Sequence, residues 1–143
     1  MPARNAAPGW FTIAAVVLLL WNLLGAYACI QQFRLGPEAM GPATDYDRRL
    51  YASMPGWYDW CFAFAEATGV AGAVALLANR AVAVPLFVLS LIGVVVQFGY
   101  LFATSDIIAV KGVWTTYFPL FIAVVGLLQI WLASRARARG WIG

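Results

Sequence analysis

What most constrains this chain is a fourfold recurrence of apolar stretches, each about as long as the roughly 20 helical residues that cross a hydrocarbon core. They run from about Trp10 to Ile30, Trp57 to Leu77, Ala81 to Phe102 and Val113 to Ala133. Lipid offers the backbone no hydrogen-bond partners. A spanning segment must therefore satisfy its own N–H and C=O groups, and a helix does so within one segment. The expectation is an all-α fold, an integral membrane antiparallel four-helix bundle forming a single domain over residues 1–143. Composition supports this. Charged residues make up 10% of the chain, against about 25% in soluble domains, so most of the surface cannot face water.

Aromatic residues mark the ends of these stretches, among them Trp10, Phe11, Trp57, Tyr58, Tyr100, Trp114, Tyr117 and Trp131, as interfacial anchors do. Pro85 and Pro119 fall in the first turns of their helices, where a missing N–H costs little. Only Ala78-Asn79-Arg80 separates the second stretch from the third, a link short enough to force a helix hairpin. The connection from Thr104 to Gly112 is also short. The long connection is residues 31–56. Within it, Thr44-Asp45-Tyr46-Asp47 resembles a capping box. Leu50, Tyr51 and Met54 then share one side of a short helix, expected to lie on the outer membrane surface.

Charge sets orientation through the positive-inside rule. One side carries Arg4, Arg80, Arg135, Arg137 and Arg139 with no acid. The other mixes Arg34, Arg48, Arg49 and Lys111 with Glu38, Asp45, Asp47, Asp59 and Asp106. The dense cluster Arg135-Ala-Arg137-Ala-Arg139 decides the matter: both termini are expected on the cytoplasmic side, with the long connection outside. That cluster meets anionic headgroups at about 1 kcal/mol per charge. The net charge of +3 therefore reflects topology, and no nucleic-acid partner is expected. Ala26-Tyr27-Ala28 before Cys29 resembles a signal-peptide cleavage site. A signal h-region is only about 7–15 residues long, so the first stretch is expected to remain a span.

The residues that break the Leu, Val, Ile and Ala monotony recur at alternating spacings of three and four. They are Ala15, Leu18, Asn22, Gly25 and Cys29 in the first stretch and Asp59, Phe62, Glu66, Gly69 and Ala73 in the second. Ser90, Gly93, Gln97, Tyr100 and Thr104 follow in the third, then Thr115, Pro119, Ile122, Gly126, Gln129 and Ala133 in the fourth. This rhythm keeps one seam of each helix toward its neighbours. In lipid the seam needs small residues for close approach and polar ones that find partners between helices. Leu91 falls off the stripe and is assigned to the lipid face.

The inward stripes bring one carboxyl and several carboxamides into the interior. Counting rise along each helix places Glu66 and Asn22 near mid-membrane and Gln97 somewhat outward. Gln129 falls toward the inner side, apart from them. The candidate site is a buried polar cluster of Glu66, Asn22 and Gln97. None of the four stretches contains Lys or Arg, so Glu66 is expected to be neutral and to donate to Asn22 or Gln97. It serves as a helix-to-helix hydrogen bond, as a proton-carrying or ligand-binding group, or as a carboxyl in a water-filled groove between subunits.

Other chemistry is poorly supplied. Histidine is absent and cysteines number two, so a zinc site is not expected and a Ser-His-Asp set cannot form. No metal, no cofactor and no enzymatic activity are expected. Cys29 and Cys61 fall near the outer ends of adjacent helices and are read as free thiols acting as small apolar residues. Asp59 and Asp106 are outer-interface acids, read as solvated helix-end charges rather than a cation site.

Four further motifs carry a resemblance over nearly the whole chain: Trp21-Asn22-Leu-Leu-Gly25, Met54-Pro55-Gly-Trp57, Gln97-Phe-Gly-Tyr100 through Ser105-Asp106, and Ala136-Arg-Ala-Arg139-Gly-Trp141. In these the chain resembles a family of small bacterial four-transmembrane-helix inner-membrane proteins, often labelled sugar transporters. The resemblance implies a multi-pass protein of the bacterial inner membrane and leaves its activity open. One four-helix unit lacks room for an enclosed sugar path, so transport would need at least a dimer. Two readings follow. One is an accessory or interaction subunit of a membrane complex, its partners the lipid bilayer and another membrane protein. The other is a homo-oligomeric small-solute transporter or channel with Glu66 as a buried proton-linked group.

Overall fold

A computed structural model describes residues 5–143; Arg4, assigned above to the cytoplasmic side, lies outside them. The described residues are helical, without a strand. Helix α1 spans Gly9–Leu35, α2 Asp45–Ser53, α3 Trp57–Leu77, α4 Ala83–Thr104, α5 Ile107–Lys111 and α6 Tyr117–Ala138. Single 3-10 turns occupy Gly36–Glu38 and Val113–Thr116. Four of these helical stretches, α1, α3, α4 and the one ending in α6, are long and apolar enough to cross a membrane.

Several boundaries differ from the hydropathy reading, for local reasons. Apolarity marks where lipid ends, whereas a helix ends where its backbone bonds do. Thus α1 continues through Gln31, Gln32 and Arg34 until Gly36 turns to φ 59°. Helix α3 closes with a Schellman arrangement around Asn79, at φ 58°. Arg80 N–H reaches Ala75 O at 2.8 Å and Asn79 N–H reaches Leu76 O at 3.1 Å, so α4 begins at Ala83 rather than Ala81. Asn tolerates this left-handed position better than other non-glycine residues. Gly140 ends α6 in the same way: Trp141 N–H reaches Ala136 O at 2.9 Å.

The helices pack in the spatial order α1, α3, α4, α6. Small residues permit the closest crossings. A methyl group added at Gly93 would come within 2.9 Å of the Ala65 Cβ, and one at Gly72 within 2.8 Å of the Phe87 ring. Phe11, Leu76, Phe87 and Leu132 lie buried together near the chain's ends. The C-terminal residues close over them. Gly143 N–H donates to Asn79 O at 3.0 Å, Ala81 N–H to Gly143 O at 3.1 Å, and Asn5 N–H to Gly140 O at 3.1 Å.

Helix α2 has the capping box read from its sequence. Asp47 N–H donates to Thr44 Oγ1 at 3.2 Å, and Thr44 N–H donates to Asp47 Oδ2 at 2.9 Å. Side chains then tie α2 to its surroundings. Arg48 pairs with Glu38 at 3.0 Å and Lys111 pairs with Asp47. Tyr46 donates to Asp106 at 2.7 Å and Tyr51 to Asp59 at 2.9 Å.

Candidate functional site

The site is built where α1, α3, α4 and α6 converge. Asn22 on α1 is buried, and its Nδ2 donates twice, to Leu18 O at 2.8 Å and to Gln129 Oε1 on α6 at 2.6 Å. On α4, the Ser90 hydroxyl donates to Ala65 O of α3 at 2.7 Å. Gly69 of α3 sits between them. A methyl group there would overlap the Asn22 carboxamide and approach Ser90 Oγ to 3.1 Å. A side chain here would push the Asn22 carboxamide aside, and its absence lets two helices deliver polar side chains to the same point.

Glu66 lies on the same face of α3, one turn from Gly69. Its carboxyl occupies the space a Cβ on Gly25 would fill. Among the described residues it makes neither a hydrogen bond nor an ion pair. It faces a cavity of about 140 Å³ shared with Asn22, Gln129, Trp21, Phe62 and Phe118. A cavity of about 150 Å³ holds a benzene molecule, so this one has room for a ligand of that size. Between α1 and α6 the contacts are side-chain ones, including Asn22 with Gln129 and Trp21 edge-on to Phe121 at 5.5 Å.

Two expectations for the cluster need correction. Gln129, assigned to a different depth, is the partner of Asn22. The last span begins at Val113 as expected but runs on to Ala138 rather than Ala133, which moves Gln129 closer to its middle. Gln97 is buried but does not line the Glu66 cavity; its side chain meets Tyr58 instead. The geometry therefore joins Glu66 and Asn22 around one cavity, adds Gln129 and leaves Gln97 out. Leu91 is not on a lipid face either. It lines the cavity and would lie 2.9 Å from a Cβ on Gly126. The cavity's aromatic walls went unrecognised because Trp21 and Phe118 lie off the small-and-polar stripes and look like any lipid-facing aromatics.

Both cysteines are free. The Cys61 thiol donates to Gly93 O at 3.3 Å, and Cys29 is buried. Asp59 and Asp106 are held apart by different partners. Asp59 accepts from Gln32 Nε2 at 2.7 Å and from Tyr51, whereas Asp106 accepts from Tyr46. Beneath α2 a second, open chamber of about 420 Å³ is lined by Gln32, Leu50, Tyr51, Tyr58, Leu101 and Lys111.

Electrostatics around α2 are local. Lys111, then the Thr44 backbone N–H, hold the Asp47 carboxyl down at about 2. The Ala43 N–H and Arg48 lower Glu38. Burial, reinforced by their acidic partners, pushes the Tyr46 and Tyr51 hydroxyls up. Among the described residues no three His, Cys, Asp or Glu side chains converge on a metal-sized site. No family model matches the chain, and neither a curated protein nor a solved structure matches it.

Proposed function

We propose that this is a multi-pass bacterial inner-membrane protein that acts as a homo-oligomeric carrier of a small solute, with Glu66 as its proton-linked group. The bundle is antiparallel and both termini are cytoplasmic. The bonds joining Asn5 to Gly140 and Gly143 to Asn79 support a common end for both termini and the α3–α4 turn. Arg80, Arg135, Arg137 and Arg139 surround that end without an acid, which supports its cytoplasmic placement.

One observation carries the reading: among the described residues the carboxyl of Glu66 has no hydrogen-bond or ionic partner, and it lines a cavity. A carboxyl kept for helix association would be hydrogen-bonded across the interface. Asn22, the partner expected for it, is committed to Gln129 and Leu18. A polar group that a packed bundle leaves free inside an apolar span marks a solute or proton path. The cavity, at about 140 Å³, is smaller than the roughly 300–1,000 Å³ of ordinary ligand sites. A second copy against the α1–α6 seam would enlarge and enclose it, which supports a homo-oligomer over a monomeric carrier.

The test is flux in proteoliposomes across a panel of small amines, polyols and carboxylic acids under an imposed pH gradient. The expected outcome is pH-driven movement of one class, lost in Glu66→Gln with the fold intact by circular dichroism. An absence of flux for every class, together with a stoichiometric foreign subunit in native mass spectrometry, would defeat this reading in favour of an accessory subunit.

A further inference from the structure

We infer that the solute bound at Glu66 is a small organic cation with an apolar or aromatic body, taken up in exchange for the Glu66 proton. This rests on the carrier reading above and narrows it to a substrate class.

Charge neutrality gives the first reason. Among the described residues, Glu66 is the only charged side chain lining the cavity, and neither Lys nor Arg reaches it. An isolated charge is costly inside a hydrocarbon span, whereas a neutral acid or a closed ion pair is tolerated. A proton or another cation satisfies that condition, and the apolar lining of the cavity favours an organic one over a bare metal ion. An anion would leave two negative charges, and a neutral solute would gain nothing from the carboxylate. The second reason is the lining. Trp21, Phe62 and Phe118 line the same cavity as the carboxyl. Aromatic faces attract cations most strongly when water is excluded. The bond between Asn22 and Gln129 at 2.6 Å commits the Asn22 Nδ2 and the Gln129 Oε1, which leaves one half of each carboxamide to meet a polar group on the solute.

The third reason is the route. Asp59, Phe62 and Glu66 recur at spacings that share one face of α3. Neutral donors, Gln32 and Tyr51, hold the Asp59 carboxyl, and among the described residues it pairs with no cation. An acid two turns from Glu66 on the same face of the helix raises the local concentration of cations on the approach to the site. In the binding step, the ammonium displaces the proton from Glu66. The proton leaves to water, and the carboxylate pairs with the ammonium. Cys29 of α1 is the titratable neighbour within electrostatic reach of Glu66; α4 and α6 present no ionisable group to the cavity.

The experiment uses the full chain in lipid nanodiscs, with benzylammonium as probe and benzyl alcohol as its neutral counterpart. Calorimetry should show benzylammonium binding more tightly at pH 8 than at pH 5, with a proton released on binding. Glu66→Gln should weaken it at least about 30-fold, the scale of one charge-assisted contact. A second measurement needs no variant. A hydrophobic carbodiimide, which modifies protonated buried carboxyls, should label Glu66, and benzylammonium should protect it while benzyl alcohol does not. If Glu66 is labelled but benzyl alcohol protects as well as benzylammonium, the cation class is overturned and the proton-linked site survives. If Glu66 is not labelled at any pH between 5 and 8, both fall.

Discussion

Asn22 on α1 donates to Gln129 on α6 across 2.6 Å, inside a seam where these two helices otherwise meet through apolar and aromatic side chains. Inside lipid such a bond contributes about 0.6 kcal/mol and seldom more than 2. A double-mutant cycle of Asn22→Val and Gln129→Leu, read by reversible unfolding in mixed micelles, should return a coupling energy of about 0.6–2 kcal/mol. A coupling indistinguishable from zero would mean that the two amides do not meet in the membrane.

The α3–α4 crossing depends on the absence of a side chain at Gly93. The nearest neighbours of an added Cβ are the Ala65 Cβ at 2.9 Å and its Cα at 3.3 Å, and backbone cannot rotate aside. Gly93→Leu should destabilise by at least about 1–3 kcal/mol, the usual cost of overpacking. Ile92, which is 52% exposed, is the proper lipid-facing control, and Ile92→Ala should cost much less. Equal losses in the same unfolding assay would place α4 in a different rotation.

The N-terminus of α2 is closed by reciprocal bonds between Thr44 and Asp47. Thr44→Ala removes one of them and should cost about 1 kcal/mol of local helix stability. Faster amide exchange confined to residues 45–53, with α3 and α4 unchanged, is the expected signature.

Acid should release α2 before it affects the spans. Lys111 and Thr44 hold Asp47 at about 2 in the folded chain, below its ordinary 3.8. A carboxyl lowered on folding contributes stability that is fully present above the ordinary value and is lost as pH falls toward the folded one. Docking of α2 should therefore be pH-independent from 7 to about 5 and weaken from about 4 down to 2. Asp47→Asn should abolish most of this dependence, leaving the smaller share from Glu38. Protease sensitivity of residues 36–56 across that range is the measurement; a transition near neutral pH would assign the dependence to another group.

The two thiols should differ in reactivity. Cys61 is partly exposed, whereas Cys29 is 6% exposed. A lipid-permeable maleimide should modify Cys61 several-fold faster, and non-reducing electrophoresis should show no internal disulfide. Reversed rates would indicate that α1 is rotated relative to α3.

How much of this was legible beforehand depended on which forces act within one helix. The apolar stretches, the α2 capping box and the α1 stripe, with Ala15, Leu18, Asn22 and Cys29 all buried, are set by composition and by spacing along a single helix. Those quantities are local, and lipid makes them stringent because an unsatisfied backbone is so costly there. The boundaries at Gly36 and Asn79 were less visible, since an end is made by backbone bonds that hydropathy does not weigh.

The site was a different matter. That Glu66 would be an interior acid followed from its place among apolar neighbours on α3. Which carboxamide would meet which depended on the relative sliding of helices distant in sequence. An end at Ala138 in place of Ala133 was enough to shift Gln129 toward mid-span, where it meets Asn22. The tertiary packing alone decided that Asn22 pairs with Gln129, that Trp21 and Phe118 wall a cavity, and that Glu66 is left unpartnered within it. A helix's sequence fixes which residues share a face; only the packed neighbours determine what that face meets.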